Sequence, residues 1–160
     1  MRIIIAAVGR LKSGPEYELV AEYLARARGV GRQIGFTEVS LIEVEASKGG
    51  DILGRRRREG ELLSEALPAG ARIIALDERG EGLGSAAFAA LLAKLRDEGV
   101  PAIAFLIGGA DGLPDSARAR AFKALSFGPA TFPHLLVRAM LAEQIYRAMT
   151  ILSGHPYHRA

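Results

Sequence analysis

Residues 125–160 read LSFGPATFPHLLVRAMLAEQIYRAMTILSGHPYHRA, and this stretch decides how the rest of the chain is organised. A short apolar piece, Ala124–Phe127, turns through Gly128-Pro129 and Phe132-Pro133 into a helix predicted from about His134 to Leu152. All three histidines, His134, His155 and His158, lie in or after it. At 3.6 residues per turn, Glu143, Arg147 and Thr150 make one narrow polar stripe, and Arg138 projects on nearly the opposite side among apolar neighbours. A helix apolar almost all round is buried on more than one side, and another subunit is expected on the second.

Upstream, short strands alternate with helices. Ile3–Val8, Phe36–Glu45, Arg72–Asp77, Ala102–Ile107 and Ala124–Phe127 have the apolar or alternating pattern of strands. Between them, Pro15 starts a helix to about Arg28 that Gly29 and Gly31 are expected to stop, and Asp51 caps one to about Leu67. Ser85–Arg96 and a short segment from Leu113-Pro114-Asp115 supply two more. This order predicts one α/β domain with a largely parallel sheet. The Arg55-Arg56-Arg57-Arg58 run reads first as a solvated helix face balanced by Glu59, Glu61 and Glu65, and second as a phosphate clamp.

The chain of 160 residues has a net charge of +3, and the sign is unevenly spread. Residues 1–113 hold 15 Lys/Arg and 16 Asp/Glu, whereas residues 114–160 hold 6 and 2. A basic C-terminal end points to a phosphate-bearing partner. The absence of cysteine excludes disulfides and thiolate metal sites and suits the cytoplasm. No apolar run reaches the length of a membrane span, so no membrane partner is expected. Pro156 between His155 and His158, and the lack of H-E-x-x-H, argue against a metal.

Ligands of parallel sheets bind at the carboxyl ends of strands. Three loops qualify: Leu76–Gly82, Gly108–Gly112 and Phe127–Phe132. Their glycines let backbone approach a ligand, and Leu76, Phe127 and Phe132 offer apolar walls, a mixture suited to a purine ring. The tail, with His, Tyr and Arg together, carries stacking surfaces and phosphate donors of the kind RNA recognition needs, although such a tail can also simply fray.

Leu76-Asp77-Glu78-Arg79-Gly80, Ile107-Gly108-Gly109-Ala110-Asp111-Gly112, Phe132-Pro133-His134-x-x-Val137-Arg138, Glu143-Gln144-x-Tyr146-Arg147-Ala148 and His155-Pro156-Tyr157-His158-Arg159 together resemble one family along the whole chain. It is that of the bacterial large-subunit ribosomal RNA pseudouridine N3-methyltransferases, of the SPOUT class. The resemblance implies a single-domain α/β knot with a knotted C-terminal cofactor site and a homodimer. It also implies S-adenosylmethionine as donor, and helix 69 of 23S rRNA within the 70S ribosome as substrate. By matching position it implies cofactor contacts at Leu76, Gly108 and Phe127, Gly128, Pro129, Ala130, Thr131 and Phe132. His155, His158, Arg159 and Arg138 are the candidate catalytic residues. Gly108→Val is expected to block the cofactor and leave the fold intact. The alternative is a non-catalytic ribosome- or nucleotide-binding domain on a similar sheet.

Overall fold

The computed structural model describes residues 1–159. Ten regular elements follow one another: β1 (Arg2–Val8), α1 (Pro15–Gly31), β2 (Glu38–Val44), α2 (Ile52–Ala66), β3 (Arg72–Gly82), α3 (Ser85–Asp97), β4 (Ala102–Ile107), α4 (Asp115–Arg120), β5 (Lys123–Ser126) and α5 (His134–Ser153). The five strands form one sheet in the order β2-β1-β4-β3-β5, and every pairing is parallel. The parallel α/β architecture read from the sequence is the one observed.

Alternation within the strands sorts their side chains onto two covered faces. Ile3, Ile5, Ala7, Ile103 and Phe105 join Val20, Leu24, Leu92, Ile145 and Met149 on the α1, α3 and α5 side. Ile4, Ala6, Val8, Ala104 and Leu106 join Leu63, Leu113 and Ala117 on the α2 and α4 side. All six residues of β4 are buried, which is why its sequence, AIAFLI, has no polar member.

Two local expectations are corrected. Helix α1 runs through Gly29 to Gly31, continues as a tighter turn over Arg32–Ile34, and ends only at Gly35. That residue has φ of +88°, the left-handed conformation a helix terminator needs, so Gly29 and Gly31 are ordinary helical residues. Residues 78–82 are strand rather than turn. β3 continues to Gly82 with a register shift between Leu76 and Glu81, so both residues face Leu125 of β5. A Cβ on Gly80 would lie 2.6 Å from the backbone of Leu125 and 2.7 Å from that of Ala124, and glycine admits this close approach.

Helix α5 accounts for much of its apolar circumference within the chain. It packs chiefly against α1 on one side and α3 on the other. Leu141, Ala142, Ile145, Ala148, Met149 and Thr150 are all buried there. Leu136 near its start is exposed, and Leu135, Val137, Met140, Ile151 and Leu152 are only partly buried, so apolar surface remains on α5 where a second subunit is expected.

Candidate active site

Three chain segments meet at the carboxyl ends of β3, β4 and β5 around a cleft of about 870 Å³. β4 ends at Ile107, and the chain folds back on itself at Gly108–Gly112. The Gly112 N–H donates to the Gly109 carbonyl (3.0 Å), and Gly112 has φ of +81°. After β5, the Ser126 hydroxyl accepts the Gly128 N–H (3.0 Å) and lies 2.8 Å from the Gly128 carbonyl. The Thr131 hydroxyl donates to the Glu78 carboxylate (3.0 Å), which ties this last loop to β3.

Leu76, Ile107, Phe127, Phe132 and Val137 form apolar walls, and backbone from Gly108–Gly112, Gly128, Ala130 and Thr131 faces the space. Arg56, Asp77, Glu78, Arg79, Asp111 and His134 add charge and a titratable ring. Of the residues expected from sequence, Leu76, Gly108, Phe127, Gly128, Ala130, Thr131 and Phe132 come together; Pro129 sits exposed in the same loop without lining the cleft. The expected effect of Gly108→Val is corrected. A Cβ there would meet Gly112 at 2.5 Å and Leu113 N at 2.7 Å, so the substitution breaks the loop before it meets any ligand.

The arginine run splits into two roles. Arg55 bridges the Asp111 carboxylate (2.9 Å) and the Gly50 carbonyl (2.8 Å), and Arg56 donates to the Leu113 carbonyl. That hydrogen bond to Arg55 is the largest influence holding the Asp111 carboxyl below its usual range. Arg57 is exposed, and Arg58 pairs with Glu61 at the surface. Glu59, counted from sequence among the balancing surface charges, is instead 5% exposed. One of its oxygens accepts the Ser47 N–H (2.9 Å), and the other has no partner. Helix α2 thus staples two loops, 47–50 and 108–113, beside the cleft.

Arg138 does not reach the cleft. It has no exposed surface. Its guanidinium donates to the carbonyls of Val8 (3.0 Å) and Gly9 (3.1 Å) and to the Glu43 carboxylate (2.6 Å). It fastens the start of α5 to the end of β1, and its expected place among substrate-contacting residues is corrected. His134, four residues earlier, does line the cleft. Burial, and then the Arg138 charge, push its pKa down, while Glu59 acts in the opposite direction.

The tail is not frayed. The Tyr157 ring lies 4.6 Å from that of Tyr146, and its hydroxyl donates to the Glu143 carboxylate (3.0 Å). Arg147 donates to the same carboxylate (2.9 Å), stands 4.8 Å from the Tyr157 ring centre, and lies 3.5 Å from His158 Nδ1. The Tyr157 N–H donates to His155 Nδ1 (3.2 Å). Burial first, then hydrogen bonding with Tyr23 and Glu143, raises the Tyr157 pKa and keeps it a neutral phenol. These contacts bring the tail back along α5 to the level of Glu143, Tyr146 and Arg147, beyond Val137, the last α5 residue that lines the cleft. Within one chain, none of His155, His158 and Arg159 lines the cleft.

Among the described residues, no three His, Asp or Glu side chains are grouped as a metal site requires, and no helix is long and apolar enough to cross a membrane. The family described as "Predicted SPOUT methyltransferase" matches residues 1–158. A Xanthobacter autotrophicus protein named ribosomal RNA large subunit methyltransferase H is 54% identical over 160 residues, covering 100% of both chains. One of the same name from Paracoccus denitrificans is 52% identical over 99% of each. A probable methylase family protein from Haemophilus influenzae is similar in fold, with a TM-score of 0.50 at 12% identity over 99% of this chain and 70% of that one. With a match along almost its whole length and relatives at about half identity, this chain belongs to the SPOUT methyltransferase family.

Proposed function

We propose that this protein methylates large-subunit ribosomal RNA with S-adenosylmethionine as donor, at N3 of a pseudouridine in helix 69 of 23S rRNA within the assembled 70S ribosome. The observation that carries the reading is the convergence of Leu76, Gly108 and the 127–132 loop on one cleft. Its volume lies within the usual range for small-molecule sites, about 300–1,000 Å³. Backbone edges and apolar walls suit an adenosine, and Asp77 and Glu78 suit the cationic groups of the methionine part. When bound, S-adenosylmethionine supplies an electrophilic methyl on a sulfonium. The protein's task is then to align an acceptor nitrogen with that methyl, to exclude water and to accept a proton.

A knotted C-terminal cofactor site belongs to the same reading. The tail belongs to it as well. Because none of His155, His158 and Arg159 lines the cleft of its own chain, the proposed site takes its cleft from one copy and these three residues from a second, as a homodimer. The names of the relatives support ribosomal RNA as substrate, and the exposed Arg57 and the basic residues 114–160 provide charge to hold phosphate.

The test is transfer of labelled methyl from S-adenosylmethionine to purified ribosomes, followed by mass spectrometry of the rRNA nucleosides. The expected product is N3-methylpseudouridine in 23S rRNA from 70S particles. A folded protein that binds S-adenosylmethionine but labels no rRNA would favour the non-catalytic alternative.

A further inference from the structure

Four ionisable side chains from three elements gather at the carboxyl end of β1. Arg138 and His134 come from α5, Glu43 from β2 and Glu59 from α2. Arg138 and Glu43 pair with each other, with further hydrogen bonds to the Val8 and Gly9 carbonyls and from the Leu11 N–H, and only the Arg138 Nε is left without a partner. Glu59 is left incomplete. It is buried, only one of its oxygens is bonded, and the other lies 3.2 Å from where a Gly109 Cβ would stand, a point that Val8 also borders. A buried carboxylate oxygen without a partner is costly and marks a place where a donor is expected. The titratable donor on the same side is His134, whose Nε2 lies 3.9 Å from the Cβ position of Gly9, the residue after Val8.

We propose that His134 is the proton acceptor of the cleft and that Glu59 is the positioning residue that sets its charge. This rests on the methyltransferase reading above. The acceptor N–H bond breaks, its proton passes to a ring nitrogen of His134, and the nitrogen's electron pair forms the bond to the incoming methyl. The carbon–sulfur pair stays with the sulfur of the sulfonium donor, so the step balances with imidazolium and a neutral thioether. His134 is suited to this because burial and Arg138 keep it neutral, and a neutral ring can accept. Its position as the first residue of α5, where the helix dipole is positive, acts in the same direction. Glu59 opposes both. The other charges about the ring are Glu43 behind Arg138, and Arg56, Asp77, Glu78, Arg79 and Asp111 across the cleft. The tail histidines are thereby left to bind substrate.

The chain has three histidines, so NMR titration of their ring protons resolves the pair without any turnover. Removing the Glu59 charge withdraws the influence that raises the His134 pKa. In Glu59→Gln, His134 is therefore expected to titrate at lower pH than in the wild type, with His155 and His158 unmoved. The acid limb of the methylation pH profile should move down with it. His134→Asn should lose that limb and about 100-fold or more in rate, while variants of His155 and His158 keep the limb. An unmoved His134 titration in Glu59→Gln overturns the pairing, and an acid limb that persists in His134→Asn overturns the proton-acceptor role. A wild-type protein that methylates nothing fails the earlier reading instead, and the titration still reports on the pair.

Discussion

Arg138 shows how one side chain is read differently alone and in place. As a lone arginine on an apolar helix it looks like a group kept for substrate. In the structure it is fully buried, and its guanidinium satisfies two carbonyls and Glu43. Replacing it by methionine leaves Glu43 without its counter-charge, so Arg138→Met is expected to lose about 3 kcal/mol of stability. Arg138→Lys should recover little, because an ammonium lacks the fork that reaches all three partners. Urea unfolding midpoints measure both. Unchanged stability with lost methyl transfer would return Arg138 to the substrate. His134 and Glu59 had no comparable sequence signal: one lay in a motif without an assigned role, and the other in a charge run. Only burial and a missing partner single them out.

At the scale of elements, the strands were legible because β4 and β1 are apolar on both faces, and the parallel order followed from their alternation with helices. The extension of β3 through Gly80 was not legible. Two glycines among charged residues have the composition of a turn, and only the adjacent backbone of Ala124 and Leu125 shows why glycine is needed. Gly60 is similar. It lies inside α2, where alanine would gain about 1 kcal/mol of helix propensity. A Cβ there would stand 2.5 Å from the ring of Pro114, however, and such overpacking costs about 1–3 kcal/mol. Gly60→Ala is expected to be net destabilising and to weaken S-adenosylmethionine binding by shifting the 108–113 loop. Calorimetry showing intact affinity would mean that α2 does not hold that loop. Deleting Gly154–Ala160 acts on the tail that follows α5. It removes the Tyr157 contacts to Tyr146 and Glu143, and should abolish methylation of 70S ribosomes while S-adenosylmethionine binding persists. Full turnover by the shortened chain would confine the tail to a structural role.

For the whole molecule, the decisive point is that the tail packs back on the middle of α5 and does not line the cleft, so one chain holds both halves of the proposed site without joining them. Two copies related by a two-fold axis can join them, because each then offers its tail to the other's cleft. Sedimentation at micromolar concentration is expected to show a species of twice the 17.0 kDa chain mass. The sequence pointed to a second copy through the apolarity of α5, which α1 and α3 explain in part; the absence of the tail residues from their own chain's cleft is the second ground. Complementation tests it most directly. A chain lacking Gly154–Ala160 is co-expressed with one carrying Ala130→Trp, whose indole fills the cleft. Each is expected to be inactive alone. Random pairing puts one working site in half of the dimers, so the mixture should recover about a quarter of wild-type methylation of 70S ribosomes. No recovery from a mixture shown to contain mixed dimers would contradict a site shared between two chains.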